Sequence, residues 1–154
     1  MREAMAPKAE KTTATPALPG LDDLVGYHLR RASIVDLQGA SAALEAVRSR
    51  PVPFSVLSCI VERPGISAAE ICRVLGMQRA NIVSILAELE ERGLFLREAD
   101  SRDNRIQRLF PTRHGQDVAA QGIERVAQHE EVLLQHLSVE ERHELRRLLA
   151  KIWQ

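Results

Sequence analysis

Two glycines set the plan of this chain. In SAAEICRVLGMQRANIVSILAELEERGL, residues 67–94, Gly76 and Gly93 each close a run of helical apolar spacing. Ser67 and Glu70 open the run as a capping box: the hydroxyl accepts from the third helical amide while the carboxylate reaches back. A short helix is therefore predicted over about Ala68–Leu75. After a turn through Met77, Ile82, Ile85, Leu86 and Leu89 share one face of a second helix. Two helices joined by a tight, Gly-containing turn form a helix-turn-helix.

Directly after this pair comes EADSRDNRIQRLF, residues 98–110, flanked by Leu94, Phe95 and Leu96 on one side and Ile106, Leu109 and Phe110 on the other. Its length and apolar flanks favour strand, turn, strand. A helix-turn-helix followed at once by a charged hairpin is a winged helix. Such a fold leads into the DNA major groove with the N-terminal residues of its second helix. Here these are Gln78, Arg79, Ala80 and Asn81, with Ser84 one turn on. Gln and Asn can pair with adenine, and Arg with guanine. Acids avoid this leading turn and gather at Glu88, Glu90 and Glu91, a polarity that suits a helix N-terminus facing phosphate. Ser67, which starts the first helix of the pair, joins the candidate DNA-facing set.

In the hairpin, Arg102 at the turn is placed to enter a narrow minor groove, where negative potential is enhanced. Arg97, Arg105, Arg108 and Arg113 are within reach of phosphates. Asp100 and Asp103 read as struts: Asp100 caps the turn through its own backbone, and Asp103 fixes an arginine by paired hydrogen bonds. The competing reading is a solvated, salt-bridged hairpin, worth little to stability.

Residues 1–19 mix Ala, Thr, Lys and Pro without periodicity and read as a disordered tail. Leu21, Leu24, Val25, Leu29, Ala32 and Val35 then recur at helical spacing, with Asp22 and Asp23 in the first turn. This helix is expected to run to about Gly39, with a second helical piece near Ala42–Val47. Pro51 and Pro53 break the chain before a short buried helix over residues 54–62. Thr112 caps a helix expected to reach Leu137. Ser138 and Glu141 form a second capping box before a last helix bearing Leu145, Leu148, Leu149 and Ile152. The fold class is thus mainly α with a small β-hairpin wing.

The composition agrees: hydrophobic residues make up 45% of the 154 and aromatics only 3%, so aliphatic side chains must build the core. Formal net charge is zero, so any phosphate binding comes from local clustering. Cys59 and Cys72 sit in apolar patterns and read as buried thiols. Metal-ligand spacing, a nucleophile–base pairing and a phosphate loop are all missing, so neither metal, cofactor nor enzyme activity is expected. With no membrane-length apolar run and no secretory signal, a cytoplasmic location is expected.

SAAEICRVLGMQRANIVSILAELEERGLFLREADSRDNRIQRLFPTRHG resembles the winged-helix core of the MarR family of bacterial transcription regulators. That family's Asp-x-Arg-x-x-Arg wing signature is matched by Asp100, Arg102 and Arg105, and its Leu-Glu-x-x-Gly-Leu by Leu89, Glu90, Gly93 and Leu94. Its Leu-Thr-x-x-Gly is matched less cleanly by Phe110, Thr112 and Gly115, with Pro111 intervening. The resemblance covers residues 21–154. It implies a single domain over 20–154, with a winged helix-turn-helix core at 51–111 and N- and C-terminal dimerisation helices at 20–50 and 112–154. It also implies a homodimer on a palindromic operator in double-stranded DNA, most often as a repressor. Trp153 fits as an anchor of the interface. Gln78 stands where many relatives have Ser, so their operator sequences do not carry over.

Family members commonly release DNA when a small aromatic acid binds between the dimer helices and the winged domain. In GYHLRRAS, Tyr27 and Arg31 share a face. Tyr27 could stack on a ring, His28 could hydrogen-bond, and Arg30 and Arg31 suit a carboxylate or phosphate. Packing at an interface is the alternative for His28, and pairing with an acid for Arg31. The stretch further resembles the branch controlling hydroxycinnamate and aromatic-acid breakdown, some of whose members sense acyl-coenzyme A thioesters. Peroxide-sensing relatives carry a reactive Cys in the first helix, where this chain has none. The alternative function is a winged-helix protein-interaction module without specific DNA binding.

Overall fold

The computed structural model describes residues 18–103 and 105–153. The chain divides into two compact units, one ending at Ser33 and the other starting at Ile34. The expected tail lies outside the described residues except for its last two positions.

In the first unit, the Asp22 carboxylate accepts from the Leu18 amide at 3.1 Å, closing a turn. Helix α1 (Val25–Leu44) starts after it. Asp22 and Asp23 therefore precede the helix instead of filling its first turn: one carboxylate is already spent on the turn.

The second unit begins within α1, which runs past Gly39 to Leu44 and ends in a 3-10 turn over Glu45–Val47. The expected stop near Gly39, with a separate helical piece at Ala42–Val47, is not found. Gly39 lies so close to His129 that a Cβ there would overlap the imidazole. This glycine serves the close approach of two helices, not a helix end.

Helix α2 (Pro51–Glu62) begins at the first proline, not at Phe54 as expected. Pro51 occupies the first helical position, where the missing N–H has no intrahelical partner to lose, and Pro53 falls within the same turn. The prolines open this helix where the sequence suggested a break.

The short strand β1 (Ile66–Ser67) leads into α3 (Ala68–Leu75) and α4 (Arg79–Glu91). Strands β2 (Phe95–Ala99) and β3 (Gln107–Pro111) form the expected hairpin. The sheet is antiparallel in the order β1-β3-β2, with Ile66 opposite Leu109 and Arg97 opposite Leu109 on the other side. Strand β1 escapes sequence reading because two residues show no alternation.

Helix α5 (Arg113–Leu133) stops short of the expected Leu137. The chain turns there, and Arg142 Nε donates to the Leu134 carbonyl at 3.2 Å, occupying a group that a longer helix would leave free. Helix α6 (Val139–Trp153) follows its predicted capping box: the Glu141 amide donates to Ser138 Oγ at 3.2 Å, and the Ser138 amide to Glu141 Oε2 at 2.7 Å.

One core holds the second unit together. Leu44, Leu57, Ile60, Ile71, Leu89, Leu94, Phe95 and Leu109 are all fully buried, each worth about 1.5–3 kcal/mol relative to exposure. Ile82, Leu86 and Leu89 fasten α4 to this core by one face and leave the opposite face to solvent. Gly115 and Gly122 allow α5 to press in: a Cβ would meet the Leu94 carbonyl oxygen at the first and the Phe54 ring at the second.

Candidate nucleic-acid interface

The turn between α3 and α4 is built as the glycine pattern predicts. Gly76 caps α3 in the left-handed region (φ 62°), and Gly93 does the same after α4 (φ 65°). The Ser67–Glu70 capping box is present: the Glu70 amide donates to Ser67 Oγ at 3.4 Å, and the Ser67 amide to Glu70 Oε2 at 2.8 Å. The Ser67 hydroxyl also donates to that oxygen at 2.6 Å, so this side chain is engaged in the cap.

Gln78 is the N-cap of α4, and its side chain makes no capping bond. Gln78, Arg79, Ala80, Asn81, Val83 and Ser84 are all exposed, on the half of the helix without acids. Ser84 Oγ donates to the Asn81 carbonyl at 3.3 Å, while among the described residues Arg79 has no ion pair and the Gln78 and Asn81 side chains have no hydrogen-bond partner. Two of the three far-end acids are paired. Glu88 pairs with Arg50 at 2.8 Å and Glu90 with Arg97 at 2.9 Å.

The wing acids brace the hairpin. Asp100 Oδ1 accepts the backbone amides of Arg102 at 2.8 Å and Asp103 at 3.2 Å. Its Oδ2 accepts Arg108 Nε at 2.6 Å. The Arg102 amide, and then the Arg108 guanidinium, hold the Asp100 carboxyl below the usual carboxylate range. Asp103 takes Arg105 in a paired arrangement, Nε to Oδ1 at 3.0 Å and Nη2 to Oδ2 at 3.2 Å, and also accepts the Arg105 amide. Its carboxyl is lowered by the Arg105 side chain first and the Arg105 amide second.

Arg108 has a role that the sequence did not reveal. Besides Asp100, its Nη1 reaches Glu70 Oε2 at 3.1 Å and the Gly65 carbonyl at 3.3 Å. One guanidinium thus ties the wing turn to the cap of α3. Hydrogen bonds from the Ser67 hydroxyl and amide, and then the Arg108 charge, lower the Glu70 carboxyl. This was one of four arginines expected to reach phosphates; it is a brace. Arg97 is also engaged, on Glu90 and over the Phe95 ring at 5.4 Å, and Arg113 pairs with Asp117 at 3.2 Å. Arg105 is held by Asp103 yet its side chain remains 90% exposed, so its pair can open at little cost. Arg102 is exposed at the tip, and among the described residues its guanidinium has no ion pair. The only signal for Arg108 was its position across from Glu98 and eight residues beyond Asp100.

In the first unit, the Tyr27 and His28 rings meet edge to face at 5.3 Å. His28 Nε2 lies 2.7 Å from the Asp22 carbonyl oxygen, so this ring nitrogen is already occupied. Arg30 and Arg31 are exposed, and Arg31 lies one turn beyond Tyr27. Cys72 is buried as expected, whereas Cys59 is only half-buried; burial and then Glu62 push its thiol up, away from the reactive thiolate.

The MarR family model matches residues 51–106, from the start of α2 through the wing turn. The transcriptional regulator HosA of Escherichia coli is 30% identical over 99 residues, which are 64% of this chain and 73% of HosA. The transcriptional repressor CouR bound to a 23-mer DNA duplex superposes with a TM-score of 0.85 at 32% identity, over 92% of this chain and all of that one. This chain belongs to the MarR family. It is a DNA-binding transcription regulator of winged-helix fold, and its family is not one of enzymes. CouR has also been seen bound to p-coumaroyl-CoA, in a structure 32% identical with a TM-score of 0.78 over 88% of this chain and 96% of that one. The MarR-family fold accounts for the order of helix pair, wing and flanking helices seen here. No helix among the described residues is long and apolar enough to cross a membrane.

Proposed function

We propose that this MarR-family protein is a homodimeric repressor that binds a palindromic operator and is released by an aromatic acyl-coenzyme A thioester or the parent acid. The observation that carries the effector class is the likeness to CouR, which matches this chain both on DNA and with p-coumaroyl-CoA. On α4, Gln78, Arg79, Asn81 and Ser84 read base edges. Ser67 lies at the start of α3 beside them. Arg102 enters the minor groove and Arg105 binds phosphate, with Asp100 and Asp103 as supports. Residues 51–111 act as the DNA-reading core of the domain.

Surface that one copy leaves uncovered supports dimerisation. Helix α6 buries none of its residues, and Leu148, Ile152 and Trp153 are exposed on it, as Ile123 and Val132 are on α5. Apolar faces of this extent belong to interfaces. Tyr27, His28, Arg30 and Arg31 are the effector candidates, with Tyr27 for the ring and the arginines for carboxylate or phosphate.

The test is release of the protein from the DNA upstream of its own gene, followed by fluorescence anisotropy. The reading expects p-coumaroyl-CoA or p-coumarate to release the DNA while coenzyme A alone does not. If a panel of aromatic acids and thioesters leaves binding unchanged, the effector reading fails.

A further inference from the structure

Val83 stands out on α4. It is 69% exposed, an apolar side chain on the outward side of a helix whose buried face is already complete with Ile82, Leu86 and Leu89. Arg79 and Ala80 lie one turn before it on neighbouring tracks, and Ser84 lies beside it. All of these are exposed. The strip therefore carries one cation, one hydroxyl and two small apolar groups, placed on the acid-free half of the helix.

Among the four bases, only thymine presents a methyl group in the major groove, and apolar side chains recognise it by contact. A valine suits that task better than a longer aliphatic residue. In a helix its χ1 is nearly confined to one rotamer, so its methyls are held in a fixed direction and lose little freedom on binding. Ala80, with no side chain beyond Cβ, lets the helix approach closely at the same step. We propose that Val83, with Ala80 beside it, is a specificity-determining residue that packs against a thymine methyl in each operator half-site. This rests on α4 being the base-reading helix. An isolated exposed valine of no consequence is the contrary reading.

The test starts by selecting duplexes from a random library with the full-length protein. Each thymine of the selected site is then replaced singly by deoxyuridine, which removes the methyl and keeps the hydrogen-bonding edge. Losing one buried methyl corresponds to about a fourfold loss of affinity. The expected result is such a loss at one thymine per half-site with the wild type. Val83→Ala should bind the thymine site more weakly and be indifferent to deoxyuridine at that same position. Tight, sequence-selective binding with no sensitivity to deoxyuridine anywhere overturns the assignment, as does full sensitivity retained in Val83→Ala. If no duplex is enriched at all, the base-reading role of α4 falls first and the assignment with it.

Discussion

Gly115→Ala tests how the wing is mounted. Gly115 sits in the first turn of α5, where its amide donates to the capping Thr112 Oγ1 at 3.0 Å. The Leu94 carbonyl, just ahead of β2, accepts the Thr112 amide at 3.1 Å. A Cβ on residue 115 would overlap that same carbonyl oxygen. Two effects oppose each other. Alanine favours the helix over glycine by up to about 1 kcal/mol. Against this, overpacking costs about 1–3 kcal/mol, and losing the bond to a buried carbonyl costs about 1 kcal/mol more. The obstacle is backbone, which cannot rotate aside as a side chain would. The cost wins, and net destabilisation of about 1–3 kcal/mol is expected from these terms. Urea denaturation at fixed protein concentration reads it directly, because the midpoint of a self-associating protein depends on concentration. Gly26→Ala is the control: it lies in α1 with open space around the position. It should gain up to about 1 kcal/mol. A Gly115→Ala midpoint at or above that of the wild type would refute the packing argument.

Ser67→Ala removes the cap of α3 and should cost about 1 kcal/mol in the same assay, and a cost near zero would mean that Glu70 caps unaided. The lowered Asp100 carboxyl stabilises the wing above its unfolded pKa of about 3.9 and loses that contribution as pH falls through the lower folded value. The amide protons of Arg102 and Asp103 should therefore titrate with a midpoint below about 3.9 in NMR spectra; a midpoint at or above it contradicts the brace. Replacing Leu148 and Ile152 together by Glu places charge on the exposed face of α6 and should yield a folded monomer in sedimentation, whereas an intact dimer would move the interface elsewhere.

The DNA-reading half was the most legible part of the sequence because its signals are local. Gly76, Gly93 and Ser67 with Glu70 act within one helical turn, as Ser138 with Glu141 does outside this half, and each does in the fold what its chemistry predicts. The misreadings arose where a residue's purpose lies across the fold. Gly39 looked like a stop because its reason, the His129 ring, is ninety residues away. Pro51 and Pro53 looked like breakers because the sequence does not say on which side of them a helix starts. Strand β1 exists only because β3 supplies its partners. In the wing, the two aspartates were legible as struts, but the arginine held by Asp100 was not. Arg108 takes that place through Glu70 and Gly65, more than thirty residues earlier. For His28 the sequence offered a ligand hydrogen bond or interface packing, and it did not show the contact that Nε2 makes with the Asp22 carbonyl.

The central claim is that Arg102, which has no ion pair among the described residues and is held out by a braced turn, grips DNA. The salt dependence of operator binding, measured for the wild type and Arg102→Ala, tests it most directly. A cation inserted in the minor groove displaces condensed counterions much as one on a phosphate does, about 0.9 each on the log–log slope, so a dimer losing one arginine per wing should show a slope shallower by about 2. Affinity should fall, and thermal stability should stay unchanged because Arg102 has no ion pair among the described residues. Equal affinity and equal slope for the two proteins would contradict the claim.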